Sequence, residues 1–144
     1  MEKKLPVRVI LVLLLQLLGT GVYGQLNINH YMRVGQTRIS IGNYVGAIEY
    51  FNIVIKFKPH MPEPYFYRGV AKQKLEDFQG AITDFDMAIG IKPFFPDAYA
   101  YRGLTWHELK EFDKAIADYN KALELEPKNE GLYINRGIAR ISQK

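Results

Sequence analysis

The strongest constraint on this chain is a period of 34 residues. Three phrases align without insertion or deletion: NYVGAIEYFNIVIKFKP, DFQGAITDFDMAIGIKP and EFDKAIADYNKALELEP. Their alanines are Ala47, Ala81 and Ala115, and their prolines are Pro59, Pro93 and Pro127. A second phrase recurs upstream, around Tyr31, Tyr65, Tyr99 and Tyr133, at the same interval. A fixed period of roughly 20 to 50 residues marks a stacked array, not a single globule.

Each unit reads as two helices. In the third, Tyr99, Gly103, Trp106 and Leu109 recur at helical spacing, and Ala115, Tyr119, Ala122 and Leu123 do so after a break at Lys110 and Glu111. Pro127 cannot continue the second helix. Gly103 and Ala115 are small where two helices approach closely, and Tyr99 and Tyr119 are large where space must be filled. One such pair cannot bury its apolar stripe alone, so neighbours stack into an all-α, right-handed solenoid.

The pattern resembles the tetratricopeptide repeat (TPR) family. Units fall at 28–61, 62–95 and 96–129, with a half repeat or capping helix at 130–144. In the third unit Tyr99, Gly103, Trp106, Phe112, Ala115, Tyr119, Ala122 and Pro127 all stand at signature positions. The second departs at Lys72, where an aromatic is usual, and the first departs at Arg38 and Val54.

The first 24 residues read as an address. Lys3, Lys4 and Arg8 precede an apolar run from Val9 to Leu18, and small residues follow, with Val22 and Gly24 placed for cleavage before Gln25. That is the pattern of a secretory signal peptide, and the run is too short for a spanning helix. The domain is then 25–144, with no membrane span after cleavage. Export of a chain without Cys or an Asn-x-Ser/Thr site points to a bacterial periplasm or a secreted protein. The formal charge of +4 halves on removal of the leader. The remainder divides into a basic front, net +5 over 25–75, and a rear of net −3 over 76–144. Nucleic-acid binding has little support in such a distribution.

One departure from the family bears on packing. Just before the repeat glycine, where Leu is usual, stand Val34, Arg68, Arg102 and Arg136. On the second helix, Tyr50, Asp84 and Asp118 share one position. Arginine in the first helix thus goes with aspartate in the second, which predicts the ion pairs Arg68–Asp84 and Arg102–Asp118. Arg136, without an aspartate of its own, is left with Asp118. The other reading of these arginines is a grip on a ligand.

No catalytic constellation, metal-ligand spacing or phosphate loop is present in the sequence, and no cofactor is expected: His30, His60 and His107 are far apart, and the glycines fall at packing positions. The resemblance implies a concave groove lined by the first helices. Its centre would be Met32, Gln36, Phe66, Val70, Gln73, Ala100, Leu104, His107 and Ile134. Chaperone-binding relatives capture a carboxylate with Lys and Asn where this chain has Met32, Gln36, Phe66 and Val70, so that clamp is absent. The expected function is a non-enzymatic scaffold holding a protein or peptide segment in the groove. The alternative is the N-terminal interaction module of a longer envelope-assembly protein or enzyme. The last helix carries more apolar surface than one stripe requires. A rough cap, self-association and a longer native chain are the three readings of that surplus.

Overall fold

A computed structural model describes residues 22–144, with side chains from Ile28 onward. The leader expected over 1–24 lies outside these residues except for its last three. The described residues form seven α-helices and no strand: α1 Val22–Ser40, α2 Tyr44–Phe57, α3 Pro62–Lys74, α4 Phe78–Ile91, α5 Pro96–Glu108, α6 Phe112–Leu125 and α7 Glu130–Ser142. No described helix is long and apolar enough to cross a membrane.

Local chemistry sets the boundaries. Asn43, Asp77 and Asn129 cap α2, α4 and α7, their side-chain oxygens accepting from the backbone N–H groups of Gly46, Gly80 and Leu132. Pro62 and Pro96 open α3 and α5, where a missing N–H costs nothing. Between the two helices of each unit, the chain reverses through a left-handed residue. Gly42 (φ 77°) takes this conformation freely, while Glu76 (φ 62°) and Lys110 (φ 61°) adopt it against their side chains.

Consecutive helices pack against one another, so α1/α2, α3/α4 and α5/α6 are hairpins and α7 lies against α6. The first helices also touch in series, α1 with α3, α3 with α5 and α5 with α7, whereas α2, α4 and α6 do not meet. The first helices therefore form the tighter, inner layer, and the array curves around them.

Each apolar core straddles a boundary between units. The first joins Ile28, Met32, Phe51 and Val54 to Ala71 of α3. The second joins Phe66, Val70 and Phe85 to Phe95, just before α5, and to Ala98 of the third unit. The third joins Tyr119, Ala122 and Leu123 to Leu132 and Ala139 of α7. No unit completes its core without its neighbour, the physical basis of a quasi-one-dimensional solenoid.

Within each hairpin the repeat glycine seats an aromatic ring. A Cβ on Gly35, Gly69 or Gly103 would stand 2.6, 2.7 or 3.0 Å from the ring of Phe51, Phe85 or Tyr119 respectively. Gly137 of α7 has nothing within 4 Å of the same point among the described residues. This contrast predicts opposite signs for one substitution. Gly69→Ala forces Phe85 to move and destabilises by about 1–3 kcal/mol. Gly137→Ala, in an open helical site, stabilises by up to about 1 kcal/mol. Urea denaturation of the two variants measures both.

Candidate functional site: the inner groove and the arginine ladder

The inner layer does not present all nine groove residues to solvent. Met32, Phe66, Val70 and Gln73 are buried, only 7–8% exposed. Phe66 is the clearest case. Its ring packs against Tyr67, Phe85, Phe95 and Tyr101, with centroids 5.0–6.0 Å apart. Phe95, carried by the linker before α5, and Tyr101, one turn into that helix, close over the position that was expected to face a partner. Gln73 is tied inward as well: its side-chain amide donates to Thr105 Oγ1 at 2.9 Å, and Thr105 is fully buried. These four residues belong to the core because the first helices approach closely enough to cover them.

The residues left open form a shorter surface. Two hollows flank Leu104. One, of about 230 Å³, lies between α3 and α5 and is lined by Gln73, Lys74, Glu76, Phe78, Leu104 and Glu108. The other, of about 160 Å³, lies between α5 and α7 and is lined by Leu104, His107, Glu108, Tyr119, Asn135 and Ile138. Leu104 and Glu108, one helical turn apart, are common to both. Ile134 and Ile138 on α7 are 62% and 48% exposed, while Ala100 and Leu104 on α5 are partly so. His107 Nε2 lies 3.4 Å from Ser142 Oγ and links α5 to α7 at the groove's end. Gln36 is exposed on α1 and lines neither hollow. Asn135 escaped the sequence reading because it is a polar residue at a position with no signature.

The second set of singled-out residues stands between the helices of each hairpin. Arg68 donates from Nε and Nη2 to Asp84 at 2.9 and 2.6 Å, and Arg102 donates likewise to Asp118 at 2.8 and 2.7 Å. Fork-on-carboxylate geometry of this kind fixes orientation as well as charge. The remaining Nη1 reaches back to the preceding unit: Arg68 to Asn52 at 2.7 Å, Arg102 to Asp86 at 2.6 Å. Arg136 completes the series with Asn120 at 2.8 Å, and not with Asp118 as expected. Both Asp118 oxygens are already occupied by Arg102, and the reaching-back position is two residues further along the helix. Each arginine therefore ties adjacent units together, a role that comparing Arg with Asp alone did not reveal. The guanidinium groups also lie over the tyrosines one turn earlier, 5.2–5.6 Å from the ring centroids of Tyr65, Tyr99 and Tyr133.

The family departure at Lys72 has its reason here. Lys72 Nζ is 2.9 Å from Asp84, giving that buried carboxylate a second cation. The third unit has the uncharged Trp106 at the same place, and there Asp118 is held by Arg102. Burial disfavours the charged form of Asp118 more than Arg102's hydrogen bonds favour it, so its carboxyl titrates above the ordinary carboxylate range. Arg102 is also shifted up, chiefly by its hydrogen bond to Asp118, and stays charged.

Residues 96–129 match the family model of the tetratricopeptide repeat. No curated protein sequence matches the chain. Among solved structures, the first TPR of Spaghetti (RPAP3), bound to the HSP90 peptide SRMEEVD, is similar with a TM-score of 0.78 at 24% identity, over 80% of this chain and 91% of that one. The crystal structure of MamA has a TM-score of 0.75 at 29% identity, and the match covers 78% of this chain but 66% of that one. The TPR2B domain of yeast Sti1, in complex with pHsp70, has a TM-score of 0.76 at 21% identity, over 80% and 97%. The fold of the described residues is that of an α-solenoid of tetratricopeptide type.

Two outcomes follow from the ladder. Asp84→Ala leaves Arg68 and Lys72 facing each other without a counter-charge and costs about 3 kcal/mol. Asp86→Ala, at a side chain that is 55% exposed, costs less than about 1 kcal/mol, and paired chemical denaturation curves give both values. The second concerns pH. Burial pushes the Tyr119 hydroxyl from its ordinary value of 10 up to about 12. The folded state then holds a proton that the unfolded chain releases. The stability this provides is complete below pH 10 and lost as pH rises towards 12. Tyr119→Phe, which installs the residue found at 51 and 85, removes roughly 2 kcal/mol of that alkaline decline, read from denaturation midpoints across this window.

Proposed function

We propose that the chain is a non-enzymatic tetratricopeptide-repeat scaffold that holds a protein or peptide segment along the inner face of α3, α5 and α7. The observation that carries this reading is the pair of hollows sharing Leu104, with apolar Ile134 and Ile138 exposed on the adjoining α7. Exposed apolar surface bordered by Lys74, Glu108, His107 and Asn135 has the composition of a recognition groove. Solved structures of the same fold hold peptides, including the HSP90 peptide bound to Spaghetti.

The ligand chemistry differs from a carboxylate tail. Of the four places that would carry such a clamp, Met32, Phe66 and Val70 are apolar and buried, leaving only the neutral Gln36 exposed. Nothing at these places offers a cation to a terminal carboxylate. Apolar side chains of the guest, seated on either side of Leu104, provide the anchor instead. The sequence of the first 24 residues supports export, and we place the scaffold in a bacterial periplasm or outside the cell.

Peptides selected from a random library on the purified chain test this. Leu104→Asp and Ile138→Asp are expected to weaken the selected peptides by about tenfold or more. Val45→Asp, at an exposed site on α2, is expected to change nothing, and so is amidation of the peptide's C-terminus. Peptides that ignore both groove substitutions, or that need a free carboxylate, would refute the reading.

A further inference from the structure

The hollow between α5 and α7 carries one permanent charge, that of Glu108. Around it stand the apolar Leu104 and Ile138, the ring of Tyr119, the amide of Asn135, and His107, whose Nε2 already lies 3.4 Å from Ser142 Oγ. Glu108 is exposed and takes part in none of the ion pairs among the described residues. Lys74, which lines the other hollow with it, is not paired with it either.

The place of Glu108 in its helix is unfavourable on local grounds. It is the last residue of α5, where the carbonyl end of the helix dipole disfavours an anion and favours a cation. The second unit obeys that rule: Lys74 ends α3 at the equivalent position, one period earlier. The scaffold does not use Glu108 in return, since the carboxylates that hold the hairpins together are Asp84 and Asp118. A side chain that breaks a local rule without a compensating contact inside the protein points to a contact outside it.

We propose, building on the groove reading above, that this hollow receives a lysine or arginine side chain of the guest. The aliphatic stem lies between Leu104 and Ile138 while the charged head meets Glu108, as long cationic side chains bury their methylenes and keep their charge among polar groups. The head also enters the field of the carbonyls that end α5, so the dipole that opposes Glu108 assists the guest's cation. A volume of about 160 Å³ gives room for one such side chain, and the lone carboxylate selects its sign. The hollow between α3 and α5 is less selective, because Lys74 and Glu76 there oppose each other in charge. The guest is therefore a segment that sets a cation in the α5–α7 hollow and an apolar side chain on the other side of Leu104.

The probes are peptides selected on the full chain from a random library and resynthesised with both termini blocked. Those that Leu104→Asp weakens are expected to contain Lys or Arg. Replacing that residue by norleucine, which keeps a stem and removes the charge, is expected to weaken binding by about tenfold. Glu108→Gln is expected to weaken the cationic peptide by a similar factor and to leave the norleucine peptide unaffected, a cycle that isolates the pair. Glu49→Gln, at an exposed site on α2, removes the same formal charge and is expected to change neither affinity. The urea midpoint of free Glu108→Gln is expected not to fall below that of the parent, as it would if the carboxylate served the scaffold. Binders that Leu104→Asp weakens, but that lack a cation or keep their affinity for Glu108→Gln, overturn this assignment and leave the groove reading intact. Equal losses in Glu49→Gln and Glu108→Gln overturn it too, since net charge alone would then suffice. Binders indifferent to Leu104→Asp overturn the groove reading and this assignment with it.

Discussion

The seat that a glycine on the first helix offers to an aromatic ring on the second is the contact on which the rest of this solenoid depends. With no Cβ at Gly35, Gly69 or Gly103, the two helices of a hairpin come close enough for Phe51, Phe85 or Tyr119 to bury completely or nearly so. That approach places the aspartate beside the ring within reach of the arginine beside the glycine. It also turns the outer flank of each hairpin toward the next unit, where Ala71, Ala98, Leu132 and Ala139 complete the cores. Widening the helix pair at the glycine would loosen the ring, the ion pair and the junction together.

The arginine ladder adds geometry to this apolar frame. A partly buried ion pair contributes little net stability, because desolvation offsets much of the attraction. Its value here is register. Each of Arg68 and Arg102 satisfies a carboxylate within its hairpin and a second acceptor in the hairpin before, so one side chain reports the position of three helices. The reaching-back bond alone, repeated from Arg136 to Asn120, carries the register onto α7. The groove inherits that alignment: Leu104 serves two hollows because α3, α5 and α7 stand at fixed spacing.

Much of this was legible in one dimension, and the reason is periodicity. Helix positions, unit boundaries and the glycine–aromatic seat recur at every 34 residues, so each could be read several times over. Arg68 and Asp84 could be matched because their alternation with Val34 and Tyr50 is visible within the chain. Lys72 looked like a lapse from the pattern until its proximity to Asp84 explained it. The acceptors Asn52, Asp86 and Asn120 also recur at this interval. They went unnoticed because Asn and Asp on a helix surface carry no distinctive signature before their neighbours are known.

The sequence by itself determined a stack of helical hairpins, since one hairpin's apolar stripe cannot be buried without the next. Only the tertiary structure decided which inner residues remain available to a partner. Met32, Phe66, Val70 and Gln73 share helix positions with exposed residues elsewhere in the array, and no helical wheel distinguishes them. The burial of Phe66 depends on Phe95 of the linker and Tyr101 of the next unit closing over it, and that of Met32 on Ala71 of α3 completing its core. Helical period specifies the direction in which a side chain points; the stacking of units specifies what is already there when it arrives.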